Sequence, residues 1–250
     1  MSTGSHQQLA DTFVSLADTM VDDFDLLDFL GLLAEKASEH LNITAAGVVL
    51  SDQRGGWHPT AGSSEAAELV ELFAAQTHDG PCMDSVRTAA PVSSPDLTRE
   101  DRWPAFVNRA VRAGYRAAAA VPMRSRHQII GSLTLLDASL DGIDQPILQL
   151  GQALADMATI GLLHQSFSRH GDLLAEQLQA ALNHRVVVEQ AKGILAETGQ
   201  VTPGAAYVLL RDYARNHGQH LVDLARQLAT HTIRARDLFG THTDTRPRSP

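Results

Sequence analysis

A chain of 250 residues with 44% apolar and 20% charged residues is ordinary globular usage, enough to bury the cores of one or two domains. The single cysteine, Cys82, excludes an intramolecular disulfide and a cysteine-based zinc site within one chain. The net charge of −9 argues against nonspecific nucleic-acid binding by the whole chain, yet residues 1–182 carry 11 basic against 23 acidic side chains and residues 183–239 carry 7 against 5. No run of about 18 apolar residues occurs, and Met1 to Asp11 lack the basic and apolar regions of a secretory signal. A cytoplasmic location with no membrane partner is expected. The 12 histidines are scattered, and His217 with His220 has no third ligand at a recognised spacing, so no metal site is expected.

Residues 1–22 are polar and mixed, with a short apolar pattern at Leu9, Phe13, Leu16 and Met20, and predict a frayed N-terminal arm or a short helix. Asp25 to Leu41 places Leu26, Leu27, Phe29, Leu30, Leu33, Ala34 and Ala37 at helical spacing, so one face is buried. Ala45 to Leu50, a turn at Gly55-Gly56 and a return at Trp57 to Thr60 predict a hairpin. Glu65 to Gln76 follows as a helix with Leu69, Leu72 and Phe73 inward, then the Asp79-Gly80-Pro81 break and a short helical turn from Cys82 to Arg87. Pro91 to Ser94 fits an edge strand, because proline lacks the donor that a central ladder needs.

Trp103 to Ala113 is amphipathic, with Pro104 suited to a first helical turn and Gly114 as a stop. Arg116 to Met123 and Gln128 to Leu136 give the strongest hairpin signal, and the apolar run Ile129 to Leu136 belongs in the middle of a sheet. Asp101 and Asp84 read as helix caps. Helices and antiparallel strands in this order predict an α+β domain.

Three segments carry a family likeness: Gly80-Pro81-Cys82-Met83-Asp84, Arg102-Trp103-Pro104, and Val121-Pro122-Met123 leading to Ile130-Gly131-Ser132-Leu133. Together with the element order they resemble a GAF domain, the small-molecule sensor fold with a central antiparallel sheet. The resemblance implies a ligand pocket, for which Cys82, Val86, Trp103 and Phe106 are the candidate residues. The alternative is a filled interior and a dimerisation scaffold. Haem, a cyclic nucleotide or a redox signal at Cys82 all fit so general a pocket, so the cofactor stays unknown. Catalysis is not expected: Gly80-Pro81 breaks any helix that would align His78 with Cys82, and no carboxylate is placed to orient them.

From Ile143 to Leu182 the pattern is helical. Ile147, Leu150, Leu154 and Met157 keep a coiled-coil spacing that suits a dimer seam or a face packed on its own domain. Gly161, His164, Ser168 and Gly171 then interrupt it, which predicts a helix to about His164 and a break near Ser168 to Gly171. Three further helices are expected: Leu173 to Ala196, one begun by Thr202 as cap with Pro203 in the first turn, and Leu221 to Ile233.

Residues 185 to 228 carry the second likeness: Arg185, then Glu189-Gln190-Ala191-Lys192-Gly193-Ile194-Leu195, then Thr202-Pro203 and Ala206, Tyr207, Leu209, Leu210, Arg211 and Ala214. They resemble the ANTAR family of RNA-binding transcription antitermination domains. The resemblance implies RNA hairpin loops of nascent transcripts as partner, bound by a homodimer. The candidate RNA-binding residues are Arg185, Lys192, Gly193, Tyr207, Arg211 and Arg215.

Tyr207, Arg211 and Arg215 are spaced by four and share one helix face, where a ring beside guanidinium groups suits unstacked bases. Arg185 and Lys192, seven apart, share another, with Glu189 between them as a partner for Arg185. Each charge could also be a solvated surface residue, and Tyr207 a core residue. Gly193 inside a helix costs about 1 kcal/mol relative to alanine, which close helix packing, the favoured explanation, or a ligand backbone would offset.

The expected organisation is thus α+β: an N-terminal GAF-like antiparallel sheet flanked by helices, then a C-terminal three-helix ANTAR bundle. Its expected bounds are an arm at 1–22, the GAF-like sensor at 23–165, the ANTAR-like domain with its connecting helix at 166–239, and a disordered tail at 240–250. A signal-responsive antitermination regulator is the expected function. A protein-interaction module or a ligand-controlled DNA-binding regulator is the alternative.

Overall fold

A computed structural model describes residues 26–51, 56–125, 128–168 and 173–239; the arm, the Gly55-Gly56 turn, the break after Ser168 and the tail lie wholly or partly outside it, as do the side chains of Leu69, Leu72, Phe73, Arg185 and Arg215. The chain divides into two compact units, Met1–Ala181 and Leu182–Pro250.

The first unit is built on five strands: β1 (Ala45–Ser51), β2 (Trp57–Gly62), β3 (Val92–Ser94), β4 (Ala117–Ser125) and β5 (Gln128–Asp137). They form one sheet in the order β2-β1-β5-β4-β3. Every described pairing is antiparallel. The apolar run of β5 lies at the centre and Val92–Ser94 at an edge, as the absence of an amide donor at Pro91 requires.

The sheet is covered on both faces, which is why β1, β4 and β5 read as nearly continuous apolar runs. Alternation assigns Ala46, Val48, Leu50, Val121, Met123, Leu133 and Leu135 to one face. Helices α1 (Leu26–Leu41) and α5 (Gln145–Ser168) pack there, through Phe29, Leu30 and Leu33 on α1 and Leu154, Ala155, Ala158 and Leu162 on α5. Residues Gln145–Leu163 are long and apolar enough to cross a membrane by composition, but these four side chains lie in a protein core. Ile147, Leu150 and Met157 pack beside the same core while staying half-exposed.

The opposite face holds Ala45, Val49, Ala118, Ala120 and Leu136, under α2 (Glu65–Thr77), α3 (Pro81–Thr88) and α4 (Pro104–Arg112). Asp84 and Asp101 are not the caps expected of them. Asp84 lies inside α3 and pairs with Arg87 at 2.8 Å. The start of α4 is served instead by Asp79, whose Oδ2 accepts the amides of Ala105 at 2.7 Å and Phe106 at 3.2 Å. This cap arrives from a loop 26 residues upstream, so the local sequence around α4 could not announce it.

The second unit contains the C-terminal part of α6 (Leu173–Gly199), with α7 (Pro203–Asn216), α8 (Leu221–Ala229) and α9 (Ala235–Phe239). The hydroxyl of Thr202 accepts the Ala205 amide at 3.2 Å, giving α7 the expected N-cap. The third predicted helix ends four residues early, because Thr232 and Ile233 donate back to Gln227 and His231 takes a left-handed conformation. The chain then makes the short α9, which sequence periodicity did not announce. Leu238 of α9 is fully buried, and Phe239 covers Gly199 so closely that a side chain there would strike its ring.

Candidate functional site

Two places merit attention: the surface of the second unit and the interior of the first. On α6, Val188, Ala191 and Leu195 face the core of the second unit, where Ala206, Leu210 and Ala214 of α7 are also buried. The facing sides of α6 and α7 place Lys192 and Tyr207 together, with the Lys192 ammonium 5.6 Å from the centre of the tyrosine ring.

Lys192 is not the exposed cation that its spacing predicts; it is only 6% exposed. Glu189 explains how the charge is tolerated, since its carboxylate meets Lys192 Nζ at 2.9 Å from one turn away and is itself half-exposed. Glu189 therefore pairs with Lys192; its expected pairing with Arg185 lies outside the described side chains. Tyr207 and Arg211 are both half-buried, one turn apart on α7, so the structure brings Lys192, Tyr207 and Arg211 into one neighbourhood. The side chains of Arg185 and Arg215 lie outside the described residues.

Gly193 overturns its favoured explanation. It is exposed, and a Cβ added there would meet nothing within 4 Å, so no helix among the described residues requires the glycine. Val186, Glu189, Gln190 and Glu197 share the same exposed side of α6, leaving bare helix backbone in the middle of that stripe. Sequence reasoning passed over one further pair: the rings of Tyr213 and His217 stack at 3.9 Å and 13° at the end of α7. Their spacing of four was the available signal.

In the first unit, Cys82, Val86, Trp103 and Phe106 do come together, in the core between the sheet and α2, α3 and α4. Trp103 meets Phe106 edge-on at 6.2 Å and donates its indole N–H to Asp84 Oδ2 at 2.9 Å. Arg102 lies 4.2 Å over the Trp103 ring and grips Glu100 through Nε at 2.9 Å and Nη2 at 2.6 Å. That guanidinium holds the Glu100 carboxyl down at about 2.

A residue missing from the sequence reading stands behind this cluster. Glu71 on α2 is completely buried, its side chain lying on Gly47 of β1, where any Cβ would come within 2.6 Å of Glu71 Cγ. Thr134 is the residue directly across the ladder from Gly47. The Thr134 hydroxyl and the Cys82 thiol lie beside the carboxyl and partly offset its burial, which nonetheless pushes Glu71 up to about 7. The hydroxyl and thiol are the groups placed to donate to the buried carboxyl, and Ser85 Oγ is buried as well. Burial and the neighbouring carboxylate push the Cys82 thiol far above its ordinary value, so it is not a poised nucleophile. Among the described residues no group of histidine, cysteine and carboxylate side chains could hold a metal ion.

The GAF domain family model matches residues 25–162, and the ANTAR domain model matches residues 176–228. The fold of the first unit is similar to that of the GAF domain of an Acinetobacter phosphoenolpyruvate-protein phosphotransferase, with TM-score 0.53 and 12% identity, covering 69% of this chain and 99% of the other. It is also similar to free methionine-R-sulfoxide reductase from Neisseria meningitidis, with TM-score 0.52 and 16% identity, covering 68% and 96%. At such identities the likeness concerns the fold alone. No curated protein matches the sequence. With more than half of its length matched by one family and a second domain following, the chain belongs to the GAF domain family and carries an ANTAR domain after the GAF domain.

Proposed function

We propose that this chain is a signal-responsive transcription antitermination regulator that binds RNA stem-loops in nascent transcripts through its ANTAR domain, under control of the GAF domain. The observation that carries this reading is the pairing of Lys192 with Tyr207 beside the bare backbone at Gly193, within the ANTAR match. An open helix backbone admits a phosphate or ribose at close range, and a ring with nearby cations suits an unstacked loop base. Arg211, and with it Arg185 and Arg215, would supply charge around that point.

With the Lys192 charge largely sheltered, shape and stacking outweigh bulk attraction, and affinity gains from two copies engaging paired hairpins. A cytoplasmic homodimer without catalytic activity is the form this function requires. The GAF-like part spans 23–165 and the ANTAR-like part 166–239, with an arm at 1–22 and a tail at 240–250.

Competition on one preparation of the full chain tests the reading. At physiological salt a labelled hairpin RNA should be displaced by unlabelled hairpin, and at least tenfold less readily by unstructured RNA or duplex DNA, on the scale of about 1.4 kcal/mol per factor of ten. Equal displacement by all three would contradict it. Selective displacement by the duplex would favour a DNA-binding regulator.

A further inference from the structure

Helix α5 turns one face to the core of the first unit and carries a second apolar face outside it. Leu154, Ala155, Ala158 and Leu162 are buried against the sheet. On the side away from them run Leu150, Ala153, Met157 and Ile160, spaced by three, four and three residues. Leu150 and Met157 are half-exposed, Ala153 is exposed, and Ile160 keeps 68% of its surface open, the largest fraction among the exposed large apolar side chains described. The seam expected from the sequence used Leu154, which lies in the core, so the open seam runs instead through Ala153 and Ile160. A single apolar side chain on a surface is ordinary, but four in a row over about 15 Å of helix mark a contact face.

The same chain holds a strip that matches it. Leu9, Phe13, Leu16 and Met20 are spaced by four, three and four residues, and on a helix Asp11, Asp18 and Asp22 fall on the opposite side. As a helix this strip is about 16 Å long, the length of the seam. Its attachment point fits as well. Leu26, the first residue of α1, is buried in the same core as Leu154 and Leu162 of α5. The six steps from Met20 to Leu26 can span about 20 Å, about two helix diameters, which is enough to cross from α1 to α5.

Shape and charge favour this strip over a second copy of α5. Parallel pairing of two α5 helices would set Ala153 against Ala153 and leave a gap in the seam, whereas the arm brings the large ring of Phe13 to face a small residue. Asp156 is exposed beside the seam, and a strip whose acids point away from α5 avoids a like-charge contact there.

We propose that residues 9–20 lie as an amphipathic helix along the Leu150 to Ile160 seam of α5 within the same chain, and so keep that face from a second copy. Helix α5 ends the GAF domain, and the ANTAR match begins eight residues after it. Docking of the arm therefore sets whether the helix that leads towards the ANTAR domain is free to pair. The contact is independent of what the ANTAR domain binds.

Thiol labelling of the full chain tests the proposal. Ala153→Cys puts a probe in the seam and Asn108→Cys puts one on an exposed position of α4, while the native Cys82 is fully buried and leaves the probe as the fast thiol. The seam probe should react about tenfold more slowly with the natural arm than with an arm carrying Phe13→Asp and Leu16→Asp. Ile160→Cys, at the far end of the seam, should repeat this result, and the Asn108→Cys probe should react equally with either arm. The protection should stay constant over about a hundredfold range of protein concentration, as an intrachain contact requires. Equal seam rates with the two arms would overturn the proposal. Protection that grows with concentration, together with a dimer mass by light scattering, would also overturn it by assigning the seam to a second copy.

Discussion

Glu71→Gln is expected to make the protein more stable at pH 8 by about 3 kcal/mol, from the separation between an ordinary glutamate at 4.5 and the buried one at about 7. Burial is the dominant cause, and the direction follows from proton counting. Between these two values the folded protein holds a proton that the unfolded chain has released, so stability falls as pH rises through this window. Below about 4.5 both forms are protonated and the penalty vanishes; above about 7 both are ionised and it is complete. Glutamine resembles the protonated acid in shape and polarity, so wild type and variant should converge at low pH and diverge towards neutrality. Urea unfolding at a series of pH values measures this difference. Taking variant minus wild type cancels the opposite contribution of depressed carboxyls such as Glu100. A constant difference across the window would mean that the carboxyl is not held in the desolvated site described.

Gly131→Ala should destabilise the first unit by about 3 kcal/mol, the upper end of the usual range for overpacking. Gly131 lies on the central strand β5, opposite Leu50 of β1 on one side and Met123 of β4 on the other. A Cβ there would run into the backbone carbonyl of Val49 and come within 2.6 Å of Leu50 Cδ2. The leucine can turn away, but the carbonyl belongs to the neighbouring strand, so relief requires β1 and β5 to separate at that point. Chemical unfolding followed by tryptophan fluorescence reads the loss, because Trp103 is in the core of the same unit. Wild-type stability would show that the two strands are less closely held than this geometry implies.

How legible these features were from the sequence depends on how local their causes are. Helix α1 and the β4–β5 hairpin follow from apolar periods of 3.6 and 2 within each segment, and the structure has both. The position of β5 at the sheet centre follows from its unbroken apolar run.

Glu71 was not legible. It follows Val70 in an amphipathic helix, where an acid reads as solvent-facing, and its burial depends on Gly47 and Thr134, distant in sequence. Asp79 as the cap of α4 fails in the same way, because nothing near Trp103 and Pro104 points to it. The candidate RNA residues could be named from the family likeness, but their exposure could not. Helical spacing gives Lys192 a face without saying that Glu189 and Tyr207 shelter its charge. Gly193 shows the converse, because a glycine that invites a packing explanation proves to border open space.

Gly193 also supplies the most direct test, because stability and RNA affinity should move in opposite directions there. Gly193→Gln removes a helix-weakening residue from an exposed position with room for a side chain, so the ANTAR domain should gain about 0.5 kcal/mol. The same side chain would cover the bare backbone at the centre of the proposed interface. A titration of hairpin RNA into full-length wild type and variant, with melting curves for each, should show an equal or higher Tm and about tenfold weaker binding, equivalent to about 1.4 kcal/mol. Undiminished hairpin affinity in a stably folded Gly193→Gln protein would contradict the placement of RNA on this face of α6.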